Sequence, residues 1–135
     1  MNIELQQKLL EKYPKIFKIN NPRQWPFDFY QFKSWEGWYD LIDKTAAEIQ
    51  KILDSDKESY FNTLQNKQKF ASLRWYYSCD NKNLEKFREI INKAEEESLS
   101  ICEKCGTKEN VSQNRGGYIL TLCDKCRYKN EQSVI

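Results

Sequence analysis

Residues 102–126 read "CEKCGTKENVSQNRGGYILTLCDKC". Cys102 and Cys105 form one Cys-x-x-Cys pair, and Cys123 and Cys126 form a second, with seventeen residues between them. Two such pairs can bring four sulfurs around one tetrahedral Zn²⁺ at about 2.3 Å each. Gly106 follows the first pair and can take the positive φ that such a knuckle needs. Between the pairs, "NVSQ" leads to the turn signal "NRGG", and "YILTL" alternates into Cys123. The pattern predicts a zinc ribbon. There is no histidine in the chain, so the cluster is all-thiolate. A closed four-thiolate shell leaves no open position, which predicts a structural Zn²⁺, one per chain, in preference to iron or a redox dithiol.

Working outward, the helix predicted from Leu84 to Leu99 runs directly into Cys102 with no Gly/Ser or Pro-rich linker. Its apolar face is Phe87, Ile90, Ile91 and Ala94, and "DNKN" before it offers cap residues. Upstream, "YFNTL" and "SLRWYYS" read as strands, with Leu73, Trp75 and Tyr77 alternating against Arg74 and Tyr76. A helix capped by Ser34 and running to Leu53 carries a stripe of Trp38, Leu41, Ile42, Ile49 and Leu53. The first helix, over 3–13, places Ile3, Leu5, Leu9 and Leu10 at helical spacing and stops near Pro14. The fold class that follows is α+β. Three helices pack with a short antiparallel sheet in a body of residues 1–100. A ribbon over 101–128 packs on that body, and 129–135 form a frayed tail.

A chain of 135 residues favours one core. Apolar residues at 39% and charged residues at 31% fit a globular rather than a disordered chain. No apolar run approaches the ~18 residues of a membrane span, and the N-terminus lacks a signal-peptide core. A cytoplasmic location with reduced thiols is expected. Net charge is only +2, with 16 cations and 16 acids in the first hundred residues and 6 cations and 4 acids in 101–135. The balance alone therefore implies no polyanionic partner.

Without histidine, the commonest general base and the Ser/His and Cys/His nucleophile pairs are missing. Glu36, Asp40 and Asp43 are spaced to share a helix face, but Asp40 and Lys44 form an i,i+4 pair that suits a solvated surface. There is no Gly-rich phosphate loop, and the reading is non-enzymatic. The fifth cysteine, Cys79, reads as a small buried hydrophobe.

Two segments stand out as binding candidates. Residues 25–39, "WPFDFYQFKSWEGWY", contain eight aromatics, of which two or three are expected at the surface. Residues 59–79, "SYFNTLQNKQKFASLRWYYSC", carry Lys67, Lys69 and Arg74 among six aromatics and no acid. If the Leu73/Trp75 face is core, Arg74 and Tyr76 face outward. Cation beside ring suits an acidic protein patch, a nucleotide or single-stranded nucleic acid. Arg115 adds a cation at the ribbon tip, and Lys125 and Arg127 follow behind, diluted by Glu103, Glu109 and Asp124.

The order of "LLEKYPKIF", "WEGWYDLID", "KQKFASLRWYY" and "CEKCG…TLCDKC" resembles a group of small, mostly uncharacterised proteins encoded by bacteriophages and prophages. The resemblance covers nearly the whole chain. It departs at Ala71, where that pattern has glycine, and in lacking the cysteine often found before Gly37. The resemblance implies a phage accessory protein that binds a host protein or ribonucleoprotein machine, as an inhibitor of a bacterial defence system. The alternative is nucleic-acid or nucleotide binding through 59–79.

Overall fold

The computed structural model describes residues 1–18 and 35–132. The expected Ser34 cap and the aromatics from Trp25 to Phe32 lie outside the described residues. Among the described residues the fold is α+β: four helices, two small antiparallel sheets and a C-terminal four-cysteine cluster.

Helix α1 (Ile3–Lys12) starts where the Asn2 side chain accepts the Leu5 N–H at 3.0 Å. Its buried residues are Gln6 and Leu9, while Ile3 is 44% exposed, so Ile3 leaves the expected apolar face. The turn that follows carries Tyr13, Ile16 and Phe17 into the core. Helix α2 (Tyr39–Ser55) begins through a short 3₁₀ turn, Glu36–Trp38. It buries Leu41, Ile42, Ala46, Ile49 and Leu53, and Trp38 beside it is fully buried, as the stripe requires. Helix α3 (Leu84–Ser98) buries Phe87, Ile91 and Ala94. Asn83 occupies its cap position but does not cap it, because its amide donates to Asp56 and Ser59 instead. Lys44 pairs with Glu97 of α3 at 2.9 Å, not with Asp40 as the spacing suggests.

The hairpin of β1 (Phe61–Lys69) and β2 (Ser72–Cys79) closes the other side of this core. Its register pairs Phe61 with Cys79, Lys67 with Arg74 and Lys69 with Ser72. A bulge at Leu64 shifts the alternation, so that Phe61 and Thr63 face inward before it and Asn66 and Gln68 after it. Phe61 lies against Trp75, Tyr77 and Phe87, with ring centroids 6.3, 4.9 and 5.1 Å away, and Trp75 donates its indole N–H to Thr63 Oγ1 at 3.0 Å. Both edges of this two-stranded sheet are covered. The Thr63 N–H bonds Ile16 O, while the Leu73 and Trp75 N–H groups bond Ser98 Oγ and Glu95 Oε2 of α3.

The hairpin turns on two residues, Phe70 and Ala71, with φ of 51° and 70°. Both lie in the left-handed region that glycine or asparagine adopts at least cost, which gives a physical meaning to the Ala71 departure. A left-handed L-residue costs roughly 1–2 kcal/mol. Phe70→Asn is therefore expected to raise the free energy of unfolding by about 0.5–1 kcal/mol in urea denaturation. A lower value would show that the exposed ring packs on the fold.

The C-terminal unit contains β3 (Val111–Gln113), β4 (Thr121–Cys123) and helix α4 (Asp124–Gln132). The ribbon strands are shorter than the "YILTL" alternation predicts. Tyr118 to Leu120 belong to a loop that the Asn114 side chain organises, donating to Gly116 O and Tyr118 O and accepting the Leu120 N–H. Helix α4 is the fourth helix. It replaces most of the expected frayed tail, because the second knuckle leads directly into a helical turn at Asp124.

Candidate metal centre and binding surface

The two knuckles meet where α3 ends and β4 begins. One ligand sulfur from each of Cys102, Cys105, Cys123 and Cys126 lies within 4.8 Å of the others. Cys105 and Cys123 are 3.7 Å apart at sulfur. Four sulfurs about 2.3 Å from a central ion would stand about 3.8 Å from one another, so the set fits tetrahedral Zn²⁺. Backbone amides turn toward the sulfurs, as the Cys126 N–H does toward Cys123 Sγ at 3.4 Å. Burial opposes ionisation of Cys102, but backbone N–H groups of Cys105, Cys123 and Lys104 outweigh it and hold the thiol at about 7. Cys126 is pushed up to about 12, first by burial and then by the neighbouring sulfurs. Four thiols this close cannot all ionise without a cation among them, and a divalent ion removes that conflict.

The centre is bonded tightly to the rest of the chain. Gly37 N–H donates to Glu103 O at 2.8 Å, and the Trp38 indole donates to Ile101 O at 2.9 Å. A methyl added at Gly37 would lie 2.1 Å from Cys102 O and 2.6 Å from Gly106 N. The start of α2 thus sits directly on the first knuckle. Glu103, only 1% exposed, accepts the Thr121 N–H at 2.7 Å and the Gln68 amide at 3.3 Å through Oε1. Thr121 in turn donates its hydroxyl to Ala71 O at 2.6 Å, and Gln68 donates to Ile119 O at 3.0 Å. The ribbon is clamped between the α2 start and the β1–β2 turn.

Sequence spacing identifies the four ligands but not Gly37, Glu103, Gln68 or Thr121. The signal for Gly37 is faint: a glycine just before a helix, where nothing local demands one. An acid between two cysteines gives no sign that it will be buried.

The hairpin candidates fall on the outer face of the sheet. Lys67 and Arg74 are cross-strand partners, a like-charge pair that repels unless an anion joins it. Lys67 Nζ lies 5.6 Å from the centre of the Tyr76 ring, and that ring is 43% exposed. Arg74 borders a shallow hollow with Glu95 and Glu96, and its buried Nε has no hydrogen-bond partner among the described residues. Arg115 is exposed at the ribbon tip. Lys125 and Lys129 line the mouth of the cysteine cluster at the other end, and Arg127 is held by Ser112 O at 2.6 Å.

The three carboxylates singled out on α2 and its approach do not share one environment. Asp43 accepts Lys12 Nζ at 2.9 Å and the Tyr13 hydroxyl at 2.7 Å, tying α1 to α2. Burial works against its charge, but these two donors hold its carboxyl below the ordinary carboxylate range. Asp40 is exposed and lines a cavity of about 250 Å³ with Gly37, Lys44, Glu97 and Gly106. Cys79 is half-buried against the core, and burial pushes its thiol up, away from the reactive range. Trp35 and Trp38, from the aromatic-rich stretch, are fully buried.

No helix among the described residues is long and apolar enough to cross a membrane. Fold and centre together define an α+β domain built around a four-cysteine site suited to one structural zinc ion. Comparisons with protein-family models, curated proteins and solved structures give no match for this chain.

Proposed function

We propose that this chain is a non-enzymatic binding protein whose zinc ion organises a recognition surface and takes part in no reaction. The surface is the outer face of the β1–β2 hairpin, with Lys67, Lys69, Arg74 and Tyr76. The observation that carries this reading is the Lys67–Arg74 cross-strand pair in a hairpin without a single acid from Ser59 to Cys79. Such a pair repels itself and attracts an acidic partner on the Lys67 side, while Glu95 and Glu96 of α3 border Arg74.

The partner in this reading is a protein or ribonucleoprotein machine of a bacterial host, met in the host cytoplasm. The role is inhibition of a defence system, in keeping with the resemblance to phage accessory proteins. That part rests on the resemblance alone.

The test is capture of the target from host lysate, with and without nuclease. Lys67→Glu with Lys69→Glu is expected to weaken capture at least tenfold, while Arg115→Glu with Lys125→Glu has the smaller effect. Both variants keep their zinc and their circular dichroism spectrum. Undiminished capture by the hairpin variant would remove the sheet face from the reading.

A further inference from the structure

Two acid-free stretches of this chain meet at one place. Residues 59–79 carry no aspartate or glutamate, and neither do residues 110–123. The hydrogen bonds from Gln68 to Ile119 O and from Thr121 to Ala71 O set the tip of the β1–β2 hairpin beside the tip of the ribbon loop. Between them lies a cleft of about 340 Å³ lined by Gln68, Lys69, Phe70, Gly117, Tyr118 and Ile119.

Two aromatic rings stand at this cleft, Phe70 at 69% exposure and Tyr118 at 78%. Phe70 is a poor choice on local grounds. It occupies a turn position at φ 51°, where asparagine or glycine fits better, and its ring is withheld from the core. Strain kept at an exposed aromatic points toward use. Cations accompany the rings: Lys69 Nζ lies 5.5 Å from the centre of Phe70, and Lys67 stands over Tyr76 on the same hairpin. Arg115 is exposed on the facing loop.

Two rings and Lys69 at one cleft, with Lys67 and Arg115 on the hairpin and loop that form it, match the two halves of a nucleotide, a flat base and a phosphate. We infer that this cleft binds single-stranded nucleic acid, with Phe70 and Tyr118 stacking on unpaired bases and Lys67, Lys69 and Arg115 meeting the phosphates. Duplex fits less well, because its bases already stack on one another and cannot reach the rings. The inference does not depend on the protein partner proposed above; it shares Lys67 and Lys69 with that surface and adds the rings of Phe70 and Tyr118.

Fluorescence anisotropy with dye-labelled dT15 and rU15, on zinc-loaded full-length protein, tests it. Both oligonucleotides are expected to bind, and a 15-base-pair duplex at least tenfold more weakly. Phe70→Asn, which suits the turn, and Tyr118→Ser are each expected to weaken binding by about tenfold, the size of one lost base stack. Three phosphate contacts predict a slope of log K against log salt of about −2, or about a twentyfold loss between 50 and 200 mM salt.

Equal affinity for duplex, or unchanged binding in the Phe70→Asn/Tyr118→Ser double variant, would overturn the stacking site. So would a deca-glutamate peptide that competes as well as unlabelled dT15, since the cleft would then be reading charge alone. No binding to either oligonucleotide at 50 mM salt would overturn the inference outright. That last result leaves the lysate experiment untouched, because protein capture there is scored after nuclease.

Discussion

Removing the metal is expected to undo the C-terminal unit and to loosen the body it is bonded to. The ribbon has two three-residue strands, and its buried cluster is Cys102, Leu122 and Cys123. Apolar burial on that scale cannot offset the entropy of ordering some thirty residues. A four-thiolate zinc site contributes on the order of 10–16 kcal/mol in small zinc domains, which is ample. Purified protein is expected to hold one zinc per chain, and Cys102→Ser or Cys126→Ser to lose it.

Hydrogen exchange after chelation distinguishes a tethered module from a built-in one. The Gly37 amide is bonded to Glu103 O, and the Trp38 indole to Ile101 O. Zinc loss is expected to deprotect the Gly37 amide and the C-terminal turn of α3, as well as the ribbon. Deprotection confined to residues after 101 would show an independent module. Fewer than about 0.2 zinc per chain in fresh, chelator-free protein would remove the metal from the account.

The second large effect is expected at Gly37. Its φ is not in the left-handed region, so what excludes a side chain there is proximity alone. Gly37→Ala would place a methyl 2.1 Å from Cys102 O, 2.6 Å from Gly106 N and 2.8 Å from the Glu103 carbonyl carbon. All three are backbone atoms of the first knuckle, so no flexible side chain can yield. The expected cost is at least about 3 kcal/mol in urea denaturation, at the upper end for overpacking.

Gly116→Ala is the comparison. It sits at φ 79° with nothing within 4 Å, so it carries conformational strain without a clash. It is expected to cost about 1–2 kcal/mol and to keep zinc binding intact. If Gly37→Ala costs no more than Gly116→Ala, the close approach of α2 to the first knuckle is not tight.

Chemistry that travels with residue type and short spacing was legible from the chain alone. The two Cys-x-x-Cys pairs specify the ligand set because each pair closes within one local turn. The stripes Leu41, Ile42, Ile49, Leu53 and Phe87, Ile91, Ala94 specify α2 and α3 because helical periodicity survives in any context. The alternation of Leu73 and Trp75 against Arg74 and Tyr76 sets which face of β2 is core.

Other features depended on what lies across the fold. The second half of β1 reads as polar, since its inward residues are Asn66 and Gln68, and Gln68 turns inward to meet Ile119 O and Glu103 in the ribbon. Asn83 looks like a helix cap until Asp56 and Ser59 engage its amide. Lys44 has Asp40 within helical reach, yet Glu97 takes it from α3. Above all, Phe70 and Tyr118 are 48 positions apart and carry no local signal of a shared cleft. Local pattern encodes periodicity and ligand type because those act over a few residues. The partners of a polar side chain, and the close packing at Gly37, exist only once distant segments are brought together.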